Sequence, residues 1–298
     1  MPMRREKTVY ALGFFDGVHL GHQALLEACR QLADRLGAAA AVITFDRHPG
    51  ALIHGQAPAL ISTAQDREAL LRGYGMEQVI VLPFDEQMMR TPWQDFFARL
   101  MDEFGAAGLV CGDDFRFGDR GAGNAALLQT ACCDAGIPCQ VVPEQTLNGV
   151  RVSSTHIRKL LEQGSMEEAV CFLGHPHSLS GKVVTGRGLG HTLGIPTANL
   201  ELPAGIVCPK HGVYACKALV DGKRYLAVTN VGMRPTVGGH HVTVEPWLLD
   251  FVGDLYGKTL TVQFYSFLRP EEKFGSLEEL KAEIQKNAAQ TRKILGHS

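Results

Sequence analysis

Gly13-Phe14-Phe15-Asp16-Gly17-Val18-His19-Leu20-Gly21-His22 is the stretch that decides the fold of the first half of the chain. It follows a predicted buried strand at residues 8–14 and opens a predicted helix at 22–36, whose apolar residues recur at helical spacing. In an open α/β sheet, ligands bind at the carboxyl ends of the strands. A helix N-terminus there offers free backbone N–H groups to an anion. The stretch therefore predicts a phosphate site at the edge of a parallel sheet.

The residue types within this stretch suit a nucleotide. His19 and His22 are three residues apart and can face the same phosphate group, while Gly17 and Gly21 permit close approach of the backbone. A tight turn with two incidental histidines is one alternative, and a metal site is another, although two histidines without a third ligand support zinc poorly. His19 and His22 are therefore candidate phosphate contacts, and the candidate nucleotide-binding residues are Gly13, Phe14, Phe15, Asp16, Gly17 and Gly21.

Strands and helices alternate through the rest of the first half. Further strands are predicted at residues 39–45, 78–82, 108–111 and 139–142. Helices are predicted from Ser62, from Thr91, over 124–135, from about Thr155 and from Ser165. Two of them show the spacing of a capping box, Ser62 with Gln65 and Ser165 with Glu168. This alternation predicts a doubly wound parallel sheet.

After residue 176 the pattern changes to strands joined by turns. They are predicted at Val183-Val184 and at residues 214–220, 225–229, 241–251 and 259–267, with a hairpin turn at Asp221-Gly222. A closing helix begins at Ser276, capped with Glu279, and its predicted apolar stripe is Leu277, Leu280, Ile284, Ala288 and Ile294. The second half is therefore predicted to be an antiparallel β-barrel with a C-terminal helix. The domains are predicted at residues 1–176 and 177–298.

Composition excludes several classes of protein. The chain has 298 residues and a net charge of -2, with 15 Lys/Arg against 21 Asp/Glu in residues 1–180 and 14 against 10 afterwards. Neither half has the clustered basic face of a nucleic-acid binder. The longest mostly apolar run, residues 38–45, is too short to span a bilayer, and no signal peptide is apparent. We expect a cytoplasmic protein with no nucleic-acid or membrane partner.

A second motif closes the first domain. Ser153, Ser154 and Thr155 precede a helix that carries Arg158 one turn in, and these groups can cradle the outer phosphates of ATP. Taken alone, the three hydroxyls read equally well as a helix N-cap cluster. Together, the two motifs match the H-x-G-H plus S-S-T-x-x-R pattern of nucleotidylyltransferases.

With the segments TFDRHP at 44–49 and GDDFRFG at 112–118, the first domain resembles the adenylyltransferase half of the bifunctional riboflavin kinase/FAD synthetase family. The resemblance implies that the phosphate of FMN attacks the α-phosphorus of ATP and that pyrophosphate leaves. It also implies that His19, His22 and Arg158 are the catalytic residues of this reaction and that Asp114 and Phe117 contact the flavin. The chain departs from the family at Phe14, where Asn is usual, at Arg47, often Pro, and at His156, often Arg.

The second domain resembles the riboflavin kinase half of the same family over residues 174–295. The matching segments are GRGLGHTLGIPTANL, HGVYA, TNVGMRPTV, VEPWLLDF, LYGK and FLRPEEKF. The glycine-rich segment matches neither the Rossmann motif nor the Walker A motif. The resemblance implies a nucleotide-binding loop with Gly186, Gly188 and Gly190, nucleotide and Mg²⁺ binding by Thr197 and Asn199, a general base at Glu245, and flavin contacts at Arg269 and Phe274.

Alternatives stay open for these residues and for the whole chain. Glu245 can be a surface glutamate, Arg269 an exposed ion pair and Phe274 a core aromatic residue. The leading reading is a two-step enzyme that uses ATP to convert riboflavin to FMN and then FMN to FAD. Its rivals are a chain with one degenerate domain, more readily the adenylyltransferase because of Phe14, and a flavin-binding regulator without turnover.

Overall fold

The structure, a computed structural model, describes residues 7–53, 55–185, 195–236 and 239–296. The predicted glycines Gly186, Gly188 and Gly190 lie outside the described residues. Two compact units result, one of Met1–Pro58 with Arg67–Ser153 and one of Ala59–Asp66 with Ser154–Ser298. Packing therefore groups residues 154–176 with the second unit, and the functional boundary at residue 176 stays a prediction.

The first unit is built on a parallel sheet, as the alternation of strands and helices predicts. Its strands are β1 Thr8–Leu12, β2 Ala39–Phe45, β3 Gln78–Leu82, β4 Ala106–Gly112 and β7 Cys139–Val142. They lie in the order β3-β2-β1-β4-β7. Short antiparallel pairs flank the sheet: β5 Arg116–Phe117 with β6 Gly123–Asn124, and β8 Thr146–Leu147 with β9 Val150–Arg151.

Helices cover both faces of this sheet. They are α1 Leu20–Leu36, α2 Gly50–Ile53, α3 Ala64–Gly73, α4 Glu86–Met89, α5 Trp93–Asp102 and α6 Ala125–Asp134. Every residue of β1 is buried, because Val9 and Ala11 face a core with α1 while Tyr10 and Leu12 face a core with α5 and α6. The predicted cap of α3 is wrong by one residue: the Thr63 hydroxyl, not Ser62, accepts from the backbone N–H of Asp66.

The strand order places a switch point between β1 and β4. From β1 the chain moves outward through β2 to β3, then returns to β4 on the other side of β1. At such a point the flanking loops diverge and leave a crevice at the carboxyl ends of the strands. The stretch from Gly13 to His22 follows β1, and the loop from Asp113 follows β4, so both predicted segments leave the sheet at this edge.

The second unit is built on an antiparallel six-stranded sheet, as predicted. Its strands are β10 His177–Lys182, β11 Leu200–Glu201, β12 Gly212–Val220, β13 Lys223–Thr236, β14 Gly239–Leu248 and β15 Thr259–Arg269. They lie in the order β10-β15-β12-β13-β14-β11. A Cβ on Gly181 of β10 would lie 3.7 Å from the Leu200 side chain of β11, so the edge strands approach and the barrel is nearly closed.

The hairpin turn of the barrel is as predicted, but several strand ends differ: β13 Lys223–Thr236 is longer than the predicted 225–229, and β14 ends at Leu248 rather than at residue 251. Val220 pairs with Lys223, and Asp221 and Gly222 both have positive φ angles, 49° and 74°, as a two-residue hairpin of this type requires. The strand predicted at Val183-Val184 is wrong, because β10 ends at Lys182. Val184 instead donates its N–H to the Asn199 carbonyl outside any ladder.

Three helices complete the second unit: α7 Ser154–Gln163, α8 Met166–Leu173 and α9 Leu277–Leu295. Ser276 caps α9 by accepting from Glu279 N, as predicted, whereas Ser165 makes no side-chain cap to α8. In α9, Ala288 packs in the core, but the predicted stripe is wrong at Leu277 and Ile294, which are both exposed. Over the described part of the chain, no helix is both long and apolar enough to cross a membrane.

Candidate active sites

The turn after β1 has an unusual backbone. Phe15, Gly17 and Val18 have φ angles of 59°, 74° and 40°, in the left-handed region that disfavours side chains with a Cβ. Hydrogen bonds hold it against the neighbouring strand, because Gly13 N donates to Ile43 O at 3.3 Å and Thr44 Oγ1 donates to Phe14 O at 3.0 Å. Such strained, over-determined backbone is typical of ligand-binding turns.

The two histidines of the turn lie together. His19 is the N-cap of α1, and its Nδ1 accepts from His22 N at 3.3 Å. The two rings stack with centroids 3.6 Å apart, and a Cβ on Gly21 would lie 3.2 Å from the His19 ring. Gly21 therefore leaves room for the stack, as the motif requires.

His22 is held in its neutral form. Burial lowers its pKa well below the ordinary value, and the charges of His19 and Arg67 lower it further. Its Nδ1 is buried and has no hydrogen-bond partner among the described residues. A half-buried imidazole at a helix N-terminus, with an unused ring nitrogen, is suited to contact a ligand.

Arg67 lies next to this turn, and the sequence analysis did not identify it. It lies in the first half of α3 and is 2% exposed. Its guanidinium carbon lies 4.3 Å from the centre of the Phe14 ring, which also contacts His48 edge-on. Phe14 therefore makes a cation–π contact at the position where the resemblance leads us to expect an amide.

The two predicted flavin contacts of the first unit have separate surroundings. Asp114 is exposed and forms an ion pair with Arg151 at 2.7 Å. Phe117 is 7% exposed and packs in the core, stacked on Phe115 and edge-on to Trp93. The structure does not bring these two side chains together, and their contact with flavin stays a prediction.

The boundary between the two units along the chain falls within the S-S-T-x-x-R motif. Ser153 is the last residue of the first unit, and Ser154 begins α7 in the second. Thr155 and Arg158 follow in the first turns of α7, which packs through Ile157 and the residues after it. The motif thus provides hydroxyls at a helix start and a cation one turn in, as predicted, and its contact with ATP stays a prediction.

The second unit contains a cavity of about 270 Å³ that collects residues distant in sequence. Its polar lining residues are Thr197, Asn230, Glu245, Arg269, Glu271, Glu272 and Asn287. Its apolar lining residues are Ile195, Val213, Val228, Trp247, Phe274, Leu280 and Ile284. A flat apolar ring with a polar hydroxylated chain fits this mixed lining.

Glu245 lies in β14 and lines this cavity, half-buried rather than on the open surface. It pairs with Asn230 of β13 in the strand register, and its Oε1 accepts from Thr243 Oγ1 at 2.9 Å. The extended strand holds the carboxylate toward the cavity, with the Thr243 hydroxyl fixing one of its oxygens. Such a carboxylate can accept a proton from a bound hydroxyl group.

Arg269 and Phe274 lie side by side at the same cavity. The Arg269 guanidinium carbon is 5.4 Å from the centre of the Phe274 ring. Arg269 Nε donates to Asn287 Oδ1 at 3.1 Å and lies 3.5 Å from Glu283 Oε1. Arg269 therefore forms an ion pair at the cavity, but the pair is largely buried, with side chains 14% and 21% exposed, and is not the exposed pair of the alternative.

A second, smaller cavity of about 90 Å³ shares Thr197 with the first. Its other lining includes Val183, Phe251 and Tyr256. Asn199 is 7% exposed, and its Oδ1 is buried without a hydrogen-bond partner in the described ranges. A hydroxyl and an unpaired amide oxygen are hard donors of the kind that Mg²⁺ prefers, so these residues fit the predicted metal.

Comparison with known proteins finds relatives for both units. A family model for FAD synthetase matches residues 1–156, and one for riboflavin kinase matches residues 173–295. The bifunctional riboflavin kinase/FMN adenylyltransferase of Pseudomonas fluorescens is 38% identical over 97% of this chain and 94% of its own length. Its Escherichia coli K12 counterpart is 36% identical over 98% and 94%.

A solved structure matches the whole chain as well. A Streptococcus pneumoniae crystal structure described as a macrolide-efflux protein superimposes with a TM-score of 0.88 and 30% identity, and covers 98% of this chain and 95% of its own. Both units of the fold thus recur together in one experimentally determined chain.

Proposed function

The chain belongs to the bifunctional riboflavin kinase/FMN adenylyltransferase family, and we propose which of its residues carry each of the two reactions. The C-terminal kinase domain uses ATP to phosphorylate riboflavin to FMN. The N-terminal FAD synthetase domain transfers the adenylyl group of a second ATP to FMN and releases pyrophosphate.

In the kinase, we assign riboflavin to the 270 Å³ cavity and ATP to the 90 Å³ cavity. The observation that carries this assignment is Thr197, which lines both cavities. The isoalloxazine ring would lie near the Phe274 ring and the Arg269 guanidinium. The ribityl chain would then point its 5′-hydroxyl toward Glu245, which accepts the proton as the oxygen attacks the γ-phosphorus. The bond from that phosphorus to the bridging oxygen of ADP breaks.

We assign Mg²⁺ to Thr197 and Asn199. A divalent cation bound there supplies charge neutralisation for the ATP phosphates. The unpaired, buried Oδ1 of Asn199 supports this assignment, because a buried polar atom without a partner is costly unless a ligand satisfies it. Gly186, Gly188 and Gly190 complete the proposed nucleotide-binding loop.

In the adenylyltransferase, the turn from Gly13 to Gly21 would bind ATP, with His19 and His22 contacting its phosphates. Ser153, Ser154, Thr155 and Arg158 would hold the outer phosphates. An FMN phosphate oxygen forms the new bond to the α-phosphorus while the bond to pyrophosphate breaks. No side chain forms a covalent intermediate, so the protein contributes positioning and charge. Asp114 and Phe117 stay the proposed flavin contacts.

Both reactions involve small molecules only: riboflavin, FMN, FAD and ATP. We propose a cytoplasmic location, where ATP is available, and no nucleic-acid partner. The proposed functional domains are residues 1–176 and 177–298.

Cutting the chain at two places tests these assignments. Residues 1–176 should convert FMN to FAD, whereas residues 1–153 should not, because they lack Thr155 and Arg158. Residues 154–298 should make FMN and stop there. Residues 177–298 should do the same with lower stability, since they lose the hydrogen bond of Lys210 N to Leu161 O and the one of the Ser266 hydroxyl to Glu167. An active 1–153 fragment would remove the second motif from the adenylyltransferase.

A further inference from the structure

Arg67 and Asp16 stand out as buried charged side chains among the described residues, each 2% exposed. Burying a charge costs several kcal/mol, roughly, unless partners compensate for the lost water. Arg67 lies on the inner face of α3 one turn before the buried Leu71. A neutral side chain of similar length would be less costly to bury there, so the charge calls for an explanation.

The surroundings of Arg67 compensate only part of this cost. Its Nη2 donates to the Phe45 carbonyl at 2.9 Å, and its guanidinium lies against the Phe14 ring. Burial lowers the pKa of Arg67, and the nearby carboxylates of Asp16 and Asp46 act against that lowering. Its Nη1 is buried and has no hydrogen-bond partner among the residues that the structure describes.

The place of Arg67 links it to the nucleotide turn. Phe45 ends β2, and Phe14 and Asp16 follow β1, so the guanidinium lies at the carboxyl ends of two central strands. Its charge also contributes to lowering the pKa of His22. Two buried nitrogens of this region, Arg67 Nη1 and His22 Nδ1, thus lack partners. Groups of this kind at the ligand edge of a sheet indicate an anion that completes the arrangement.

We propose that Arg67 is a positioning residue of FMN adenylylation, whose fixed positive charge holds a substrate phosphate at the turn from Gly13 to His22. This proposal rests on the adenylyltransferase assignment of that turn. The charge acts through the turn: Arg67 donates to the Phe45 carbonyl, interacts electrostatically with Asp16 and His22, and stabilises the anion that the turn binds. The phosphate belongs either to ATP or to FMN, and both have the same chemistry.

Three variants separate charge from packing. Arg67→Met removes the charge and keeps an apolar stem, while Arg67→Lys keeps the charge and loses the planar fork. Arg72→Met is the matched control, because Arg72 lies on the same helix, is half-exposed and pairs only with groups outside the turn, such as Glu68 at 2.9 Å. FMN adenylylation, riboflavin phosphorylation and the melting temperature are measured for each full-length chain.

We expect Arg67→Met to lower kcat/KM for adenylylation about 10²–10³-fold, the usual loss for one charge-stabilising donor. Arg67→Lys should stay within about tenfold of the parent chain, since charge is the property that matters. Riboflavin phosphorylation should be unchanged in both, and Arg72→Met should match the parent in every assay. A rise in KM for ATP alone identifies an ATP phosphate as the anion, and a rise for FMN alone identifies that of FMN.

The proposal is overturned if folded Arg67→Met adenylylates FMN within threefold of the parent chain. It is also overturned if kcat/KM for adenylylation falls more than a hundredfold in folded Arg67→Lys, because the retained charge then does not support the reaction. If Arg67→Met does not fold, Arg67→Lys alone tests the proposal, with the limits for that variant given above. The His22→Ala variant separates this failure from that of the site assignment: it stays impaired if only the role of Arg67 is wrong, and it is active if the turn is not the adenylyl-transfer site.

Discussion

The turn after β1 and the 270 Å³ cavity of the barrel are the two proposed reaction sites, and they are built from different kinds of structure. The turn uses strained backbone, a helix N-terminus, the buried Arg67 and the half-buried His22, all at one edge of a parallel sheet. The cavity uses side chains that project from strands and from α9, among them the carboxylate of Glu245. We propose that the first site contributes positive charge and shape, whereas the second contributes a proton acceptor.

This difference predicts how each site fails. Removing the proton acceptor of the cavity removes one chemical step and leaves the shape intact. Removing one hydrogen-bond donor from the turn weakens a positive electrostatic field to which several groups contribute. The expected losses are therefore larger in the cavity than in the turn, and each should be confined to its own reaction.

The largest effect is expected for Glu245→Gln. The amide keeps the size of the side chain and cannot accept the proton, so riboflavin phosphorylation should fall roughly 10²–10⁴-fold. FMN adenylylation, assayed on the same sample, should stay near normal. Glu201→Gln is the matched control, because Glu201 is exposed on the neighbouring strand β11 and does not line the cavity. Phosphorylation that survives the Glu245 change would show that another group takes the proton.

A smaller effect is expected for His22→Ala or Arg158→Ala. Each should lower FMN adenylylation roughly 10²–10³-fold, as for the loss of one charge-stabilising donor, and leave phosphorylation intact. Arg30→Ala serves as the control, since Arg30 lies on α1 in an exposed ion pair with Glu27. Equal loss of both activities, with a lowered melting temperature, would instead indicate that the variant is globally destabilised.

The barrel should also depend on pH through a buried histidine. Burial, helped by His175, lowers the pKa of His177 from its ordinary value near 6.5 to about 3. Between these values the unfolded chain binds the proton and the folded chain does not. Stability is therefore full above pH 6.5 and falls by up to about 1.4 kcal/mol per pH unit as the pH drops toward 3.

The measurement is the difference in unfolding free energy between pH 7.5 and pH 5. His177→Leu should shrink this difference by roughly 2 kcal/mol, because the group that titrates is gone. His211→Leu is the control, since His211 lies half-buried next to β12 in the same unit. An unchanged pH dependence in the His177 variant would show that other groups cause the acid sensitivity.

The smallest effect is expected for Phe14→Asn. The ring contacts the Arg67 guanidinium, and an amide can accept a hydrogen bond from it, so the charge stays in place. Adenylylation should remain within about threefold of the parent rate, with a stability loss of roughly 1 kcal/mol for the lost cation–π contact. A severe loss of activity with the fold intact would mean that the ring itself contacts a substrate.

The sequence predicted the turn better than the cavity, for a physical reason. The turn is contiguous, so the glycines, the histidines and the change from strand to helix can be read from ten consecutive residues. The cavity joins Thr197, Glu245 and Phe274 through the pairing of strands far apart in the chain, which no local pattern encodes. Those residues were found through family resemblance, and the structure then placed them at one cavity.

Arg67 shows where a local reading fails. Arginine on a surface helix usually faces water, so its charge favoured an exposed position. Its spacing carried the contrary signal, because Arg67 precedes the buried Leu71 by one helical turn and therefore lies on the inner face of α3. The N-cap of α3 shows the same limit. Both Ser62 and Thr63 could cap the helix, and only the backbone geometry decides between them.

Mixing two full-length variants tests most directly the central claim, that each proposed domain, residues 1–176 and 177–298, carries its own reaction. With riboflavin, ATP and Mg²⁺, Glu245→Gln alone should make almost no FMN, and His22→Ala alone should make FMN and little FAD. The mixture should make FAD, because FMN released by one variant is the substrate of the other. A Glu245→Gln chain that cannot adenylylate supplied FMN, or a mixture that accumulates FMN without forming FAD, would contradict the account.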